Sequence, residues 1–187
     1  MVIKTIAIVG ANATGQVFAR ASALAGYETI LEDVSREMLE RGISAVDRLL
    51  QKASERGEIQ SADRAAAMSR IAPIVGVENA IRCADLIIEA VPEELEMKLE
   101  LFTIFDKFAK PGAIFASSTQ TLSILDLSDV TVYRERCIGI RLRKTGPEDQ
   151  YTLVSDRFEL VPTELTSQET ILACTEVVHR LALHGQR

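Results

Sequence analysis

The chain has 187 residues, enough to bury a core without disulfides or a metal as staples. Apolar residues make up 47% and charged residues 26%, a soluble-domain balance, and the formal charge of −6 argues against nucleic acid, which needs a basic face. Cys83, Cys137 and Cys174 are odd in number and lack a CxxC spacing, so they read as reduced thiols rather than a disulfide frame or metal site. No apolar run is long enough to span a membrane. The opening MVIKTIAIVG enters a strand pattern at once, without the look of a signal or transit peptide, so a cytoplasmic protein is expected.

Apolar runs of strand length alternate with longer helical patterns, the mark of βαβ units around a parallel sheet. Thr5–Val9 is a β-branched run suited to a buried central strand. Residues 13–26 carry helical spacing through Val17, Ala21 and Leu24 and end on a glycine. Glu28–Asp33 predicts a second strand that closes on two carboxylates, Glu32 and Asp33. Ser35 is an N-cap candidate for a long helix reaching about Arg56, with Met38, Leu39, Ile43, Val46, Leu49 and Leu50 on its apolar face. A shorter helix over 61–70 follows the break at Gly57, so the two are expected to form a helical hairpin.

Ile71–Val75 predicts a weak strand and 85–90 (DLIIEA) a strong one. Residues 94–110 form an amphipathic helix, and Pro111 and Gly112 turn the chain into a strand over 113–117. Cys137–Leu142 and 157–161 are further strands, joined by a polar loop over 144–156. The last helix covers 166–185, capped by Thr166 or Ser167.

The stretch IAIVGANATGQVFARASALAG carries most of a dinucleotide-binding turn, Gly-x-Gly-x-x-Gly between a strand and a helix. Gly10 permits the tight turn and Gly15 the close approach of the helix, while Asn12 stands in place of the middle glycine. The helix start, with Ala13 and Thr14, offers backbone N–H groups to a pyrophosphate. Asp33 stands where a carboxylate receives the adenosine ribose hydroxyls and repels a 2′-phosphate, which favours NAD over NADP.

Further motifs follow in order: LIIEAVPEELEMKLELF (86–102), AIFASSTQTLSI (113–124), RCIGIRL (136–142) and FELVPTELTSQET (158–170). With the N-terminal turn they resemble the NAD-binding domain of the L-3-hydroxyacyl-CoA dehydrogenases. The resemblance implies a Rossmann-type α/β fold: a doubly wound, mostly parallel sheet with a long helical hairpin after the second strand. It places nicotinamide-side contacts on Glu93 and Lys98; the alternative is that both belong to the charged first turns of an exposed helix.

Carried over by position, the family's Ser-Asn-Thr-Ser falls on Ser117, Ser118, Thr119 and Gln120, so a substrate- and cofactor-contacting serine becomes Gln120. The family's His-Phe-Phe-Asn-Pro falls on Arg141, Leu142, Arg143, Lys144 and Thr145; the catalytic histidine becomes Arg141 and the cofactor-contacting asparagine Lys144. The glutamate that orients the histidine falls on Glu159. The resemblance also implies a helical second domain, bearing a further catalytic asparagine and a dimer interface, and a single domain over 1–187 without it is the expectation here.

The family reaction moves hydride between C3 of a 3-hydroxyacyl thioester and NAD while a base takes the hydroxyl proton. Histidine suits that step, whereas an arginine stays protonated and has no acceptor lone pair. His179 and His184 match no catalytic position and are expected at the surface. Five basic residues lie within 134–144; Arg141 and Arg143, two apart on a strand, share one side and could receive an acyl-CoA or another anionic small molecule. The alternative is a solvated loop in which Glu135, Glu148 and Asp149 neutralise them. Three readings follow: an NAD(H)-binding domain without the usual catalysis, an active dehydrogenase completed by a missing segment or partner chain, and a non-catalytic interaction module. A homo-oligomer is compatible with each.

Overall fold

The computed structural model describes residues 1–143 and 158–183. Seven strands make one sheet: β1 (Thr5–Val9), β2 (Glu28–Asp33), β3 (Ile71–Val75), β4 (Leu86–Glu89), β5 (Ile114–Ser117), β6 (Cys137–Leu142) and β7 (Phe158–Val161). They lie in the order β3-β2-β1-β4-β5-β6-β7, all parallel except β7, which runs antiparallel to β6. The chain therefore winds outward from β1 in one direction and then returns to β4 on its other side, which makes this a doubly wound sheet.

Alternation along β1 divides the core. Ile6 and Ile8 face α1 (Ala13–Leu24), α2 (Arg36–Glu55) and α3 (Ser61–Ser69), together with α7 (Gln168–Leu183), through Phe18, Val46, Leu50 and Val177. Ala7 and Val9 face the opposite layer, α4 (Val77–Ile81), α5 (Leu95–Phe108) and α6 (Ile124–Ser128), through Ile81, Phe102, Phe105 and Leu127. Burying β1 and β4 on both faces accounts for their continuous apolar sequence.

The hairpin after β2 forms as expected, with Ser35 accepting from the Met38 N–H as the cap of α2. Its two helices are tied by a two-pronged pair, Arg64 Nε and Nη2 at 2.9 and 3.0 Å from the Asp47 oxygens. Ser167 caps α7 by accepting from the Thr170 N–H, while Thr166 turns inward to the Cys137 carbonyl. Two five-residue helices, α4 and α6, were not expected; each is too short to show a 3.6-residue period. The loop expected over 144–156, with Lys144, Glu148 and Asp149, lies outside the described residues, as do Arg157, His184 and Gly185.

Candidate functional site

The carboxyl ends of β1, β2, β4 and β5 bring the sequence-predicted residues to one crevice, at the point where strand order reverses. Gly10 takes φ of 107°, and a Cβ there would lie 3.1 Å from the Ala90 carbonyl oxygen at the end of β4. At Gly15 a Cβ would come within 1.8 Å of the Gly10 carbonyl oxygen, so no other residue lets α1 start this close to the turn. Asn12 has extended backbone and caps α1: its Oδ1 accepts from the Thr14 and Gly15 N–H groups at 2.9 and 3.1 Å. Its Nδ2 donates across the crevice to the Ala90 carbonyl at 2.5 Å. Ala13 is exposed at the first turn.

Asp33 ends β2 half-buried, its two oxygens accepting from the N–H groups of Ala11 and Ser35, each at 3.1 Å. A carboxylate has about four acceptor positions, so two remain for hydroxyl donors. Beside it opens a cavity of about 470 Å³, lined largely by apolar side chains, among them Val77, Val91, Leu101 and Ile104, with Gly10 and Asn12 at its edge. Glu32 also lines it and is 2% exposed, with Oε1 buried and without a hydrogen-bond partner among the described residues. Burial, and then the neighbouring Asp33 charge, push its carboxyl up to about 7 despite a hydrogen bond from the Gly76 N–H.

Further along the crevice lies a buried charged group. Lys98 is fully buried, with Nζ at 2.6 Å from Glu89 Oε1, 3.2 Å from the Val91 carbonyl oxygen and 3.5 Å from Glu93 Oε2. That removes the alternative of an exposed, charged helix face for Lys98: its stem enters the core because Glu89, on a strand buried on both sides, needs a cation. Burial raises the Glu89 carboxyl above its usual range, opposed by Lys98, the Ser117 hydroxyl and the Val91 N–H. Glu93 is partly exposed and its Oε1 collects donors from Thr119, Gln120 and Thr121. Partial burial acts upward, but those hydrogen bonds outweigh it and hold Glu93 at about 2.

Gln120 bends back on its own loop, Nε2 donating to the Ser118 carbonyl at 3.2 Å. Arg141 lies directly opposite Glu159 in the β6–β7 register, and its Nε donates to the Thr119 carbonyl at 2.8 Å. Arg143 pairs with Glu159 at 3.7 Å, and Glu135 pairs instead with Arg136, so Glu135 does not neutralise Arg141 and Arg143 as supposed. Lys144 lies outside the described residues. His179 is exposed on α7. Cys137 and Cys174 are buried and unpaired and Cys83 is exposed, while no cluster among the described residues could hold a metal ion. No described helix is long and apolar enough to cross a membrane.

The sequence reading gave Glu89 no role, and named Glu32 only as a strand-end carboxylate and Ser117 only as the first residue of a matched motif. Glu89 did leave a signal, since an acid inside the apolar run LIIEA needs a buried partner, and Lys98 lies one helical turn into the next element. Glu32 left none that separates it from Asp33.

Residues 5–184 match the family model described as 3-hydroxyacyl-CoA dehydrogenase, NAD binding domain. The chain belongs to this family. Its sequence is 31% identical to a 3-hydroxybutyryl-CoA dehydrogenase of Bradyrhizobium diazoefficiens, over 96% of this chain and 59% of that protein. It is 26% identical to the human mitochondrial hydroxyacyl-coenzyme A dehydrogenase, over 98% and 58%. The fold superposes on the crystal structure of the (S)-3-hydroxybutyryl-CoA dehydrogenase of Ralstonia eutropha with a TM-score of 0.88 at 27% identity, covering 96% of this chain and 61% of that one. The chain thus spans less than two thirds of the length of these relatives. NAD is the cofactor of this oxidoreductase family's domain, and the Rossmann-type fold read from the motifs is the fold observed.

Proposed function

We propose that this chain binds NAD(H) at the carboxyl end of its sheet and does not by itself perform the family's hydride transfer. The observation that carries the reading is Asp33, a carboxylate with acceptor positions left, beside an apolar cavity of about 470 Å³. On this reading the cavity takes the adenine, Asp33 the ribose hydroxyls, and the turn of Gly10, Asn12, Ala13, Thr14 and Gly15 the pyrophosphate. The nicotinamide end would meet Glu93, Gln120 and Lys144, with Lys98 acting through the Glu93 carboxylate it touches rather than on the ligand. The cofactor would supply hydride transfer; the fit is good at the adenosine end, while at the phosphate end the Asn12 side chain stands in the crevice.

The base is the missing part of the proposal. At the position that the resemblance assigns to the catalytic histidine, Arg141 donates to the Thr119 carbonyl and has no lone pair with which to take a proton. Glu159, its cross-strand neighbour, pairs with Arg143. Arg141 and Arg143 could still receive the charge of an acyl-CoA or another small anion. Because the chain spans less than two thirds of its relatives, the second reading is an active dehydrogenase completed by a further segment or a partner chain.

The test follows NADH fluorescence during titration and, in parallel, NADH oxidation with acetoacetyl-CoA. Saturable binding without turnover is the expected result. Turnover by the chain alone would overturn the proposal, turnover only with an added partner chain would support the second reading, and no binding at millimolar NADH would refute the proposal.

A further inference from the structure

The side chain of Asn12 does what a bound phosphate would do. An α-helix begins with N–H groups that no residue of the helix can satisfy, and those groups hold an anion at a dinucleotide turn. Here the Asn12 Oδ1 takes two of them, Thr14 and Gly15, at 2.9 and 3.1 Å. The same carboxamide reaches over the gap between β1 and β4 and donates to the Ala90 carbonyl at 2.5 Å. β1 and β4 are the neighbours between which strand order reverses, so the bridge closes the crevice that ligands enter in this architecture. A pyrophosphate can reach these N–H groups only by displacing three hydrogen bonds already made. The adenosine end stays open: Asp33 and the apolar cavity beside it make no hydrogen bond with the Asn12 side chain.

We infer that Asn12 is an internal competitor for the phosphate position: in the free protein its carboxamide holds the Thr14 and Gly15 N–H groups, so that the site takes the adenosine half of a nucleotide and gains little from the phosphates attached to it. This rests on the nucleotide-binding reading above. It makes Asn12 the residue that sets cofactor affinity, and it makes affinity conditional on a side-chain rotation out of the crevice.

Titration of the whole chain with adenosine and, separately, with ADP, followed by backbone amide NMR, tests it. In the natural sequence ADP is expected to bind within about twofold of adenosine, a negligible difference in free energy. Glycine is a tolerated N-cap, so Asn12→Gly keeps its helix while opening the turn. In that variant ADP should tighten about tenfold or more, the worth of a charge-assisted hydrogen bond, with adenosine unchanged. Asn12→Asp keeps the cap and adds a negative charge, so ADP should then bind more weakly than adenosine. ADP binding about tenfold tighter than adenosine in the natural sequence, or an Asn12→Gly variant with an unchanged ratio, would overturn the inference while leaving the nucleotide site standing. Failure of adenosine to bind at all would remove the nucleotide reading, and this inference with it.

Discussion

Glu89 and Lys98 show how one buried charge dictates its surroundings. Both side chains are fully buried, and each satisfies the other at 2.6 Å. Removing the cation alone by Lys98→Met leaves Glu89 charged and unpaired, so urea unfolding should show a loss of about 3–5 kcal/mol. Adding Glu89→Leu should recover part of that loss, because it removes the stranded charge while leaving the Ser117 hydroxyl and the Val91 N–H without their acceptor. If the double variant were as unstable as the single one, the pair would not be the cause. Glu32 predicts a pH effect of definite sign. Its carboxyl sits at about 7 when folded, against a usual value of 4.5, so the folded chain keeps a proton that the unfolded chain has released between those values. Stability should therefore fall as pH rises from about 4.5 to 7, by on the order of 3 kcal/mol once both states are ionised. Glu32→Gln should flatten that slope in chemical denaturation at several pH values; an unchanged slope would place the titration elsewhere. Glu93 acts with the opposite sign: held at about 2, it contributes stability above its unfolded pKa that is lost as pH falls through 2.

Among the elements, those with a strong period were legible and those without were not. β1, β2, β3 and β6 fall on the residues expected of them, because β-branched and apolar runs bounded by turns admit few other assignments. The helical hairpin was legible from Gly57 and the faces on either side of it. α4 and α6 were not, since five residues make little more than one turn and owe their form to the core under Ile81 and Leu127. The turn before α1 was legible in its glycines and illegible in what Asn12 does, because capping depends on where a carboxamide points. Gly15→Ala would place a Cβ 1.8 Å from the Gly10 carbonyl oxygen, which cannot be relieved by rotating a side chain. The variant should lose several kcal/mol of stability, on the order of a severe overpacking change, and its ADP binding with it. Near-natural stability in thermal unfolding would mean that α1 can slide along the sheet.

For the molecule as a whole, the residues singled out by the motifs gather at one edge of the sheet, and their contacts there were not readable from spacing. Asp33, the glycine turn, Glu93 and Arg141 all come to the carboxyl edge of one sheet, as the ordered motifs implied. Lys98 lies in the core and not on the exposed face that one of its two readings offered, and Arg143 and Glu159 pair with each other, because long-range pairing decides where a charge can rest and local spacing does not. Family membership carries the fold and the cofactor, whereas the proposal that the chain lacks hydride transfer rests on Arg141, whose guanidinium stays protonated. The measurement that bears most directly on this account is an NADH titration of the natural chain beside Asp33→Ala. Saturable binding that weakens about tenfold or more in the variant, the loss of hydrogen bonds to a charged acceptor, is the predicted result. Equal binding by the two proteins, or none by either, would contradict it.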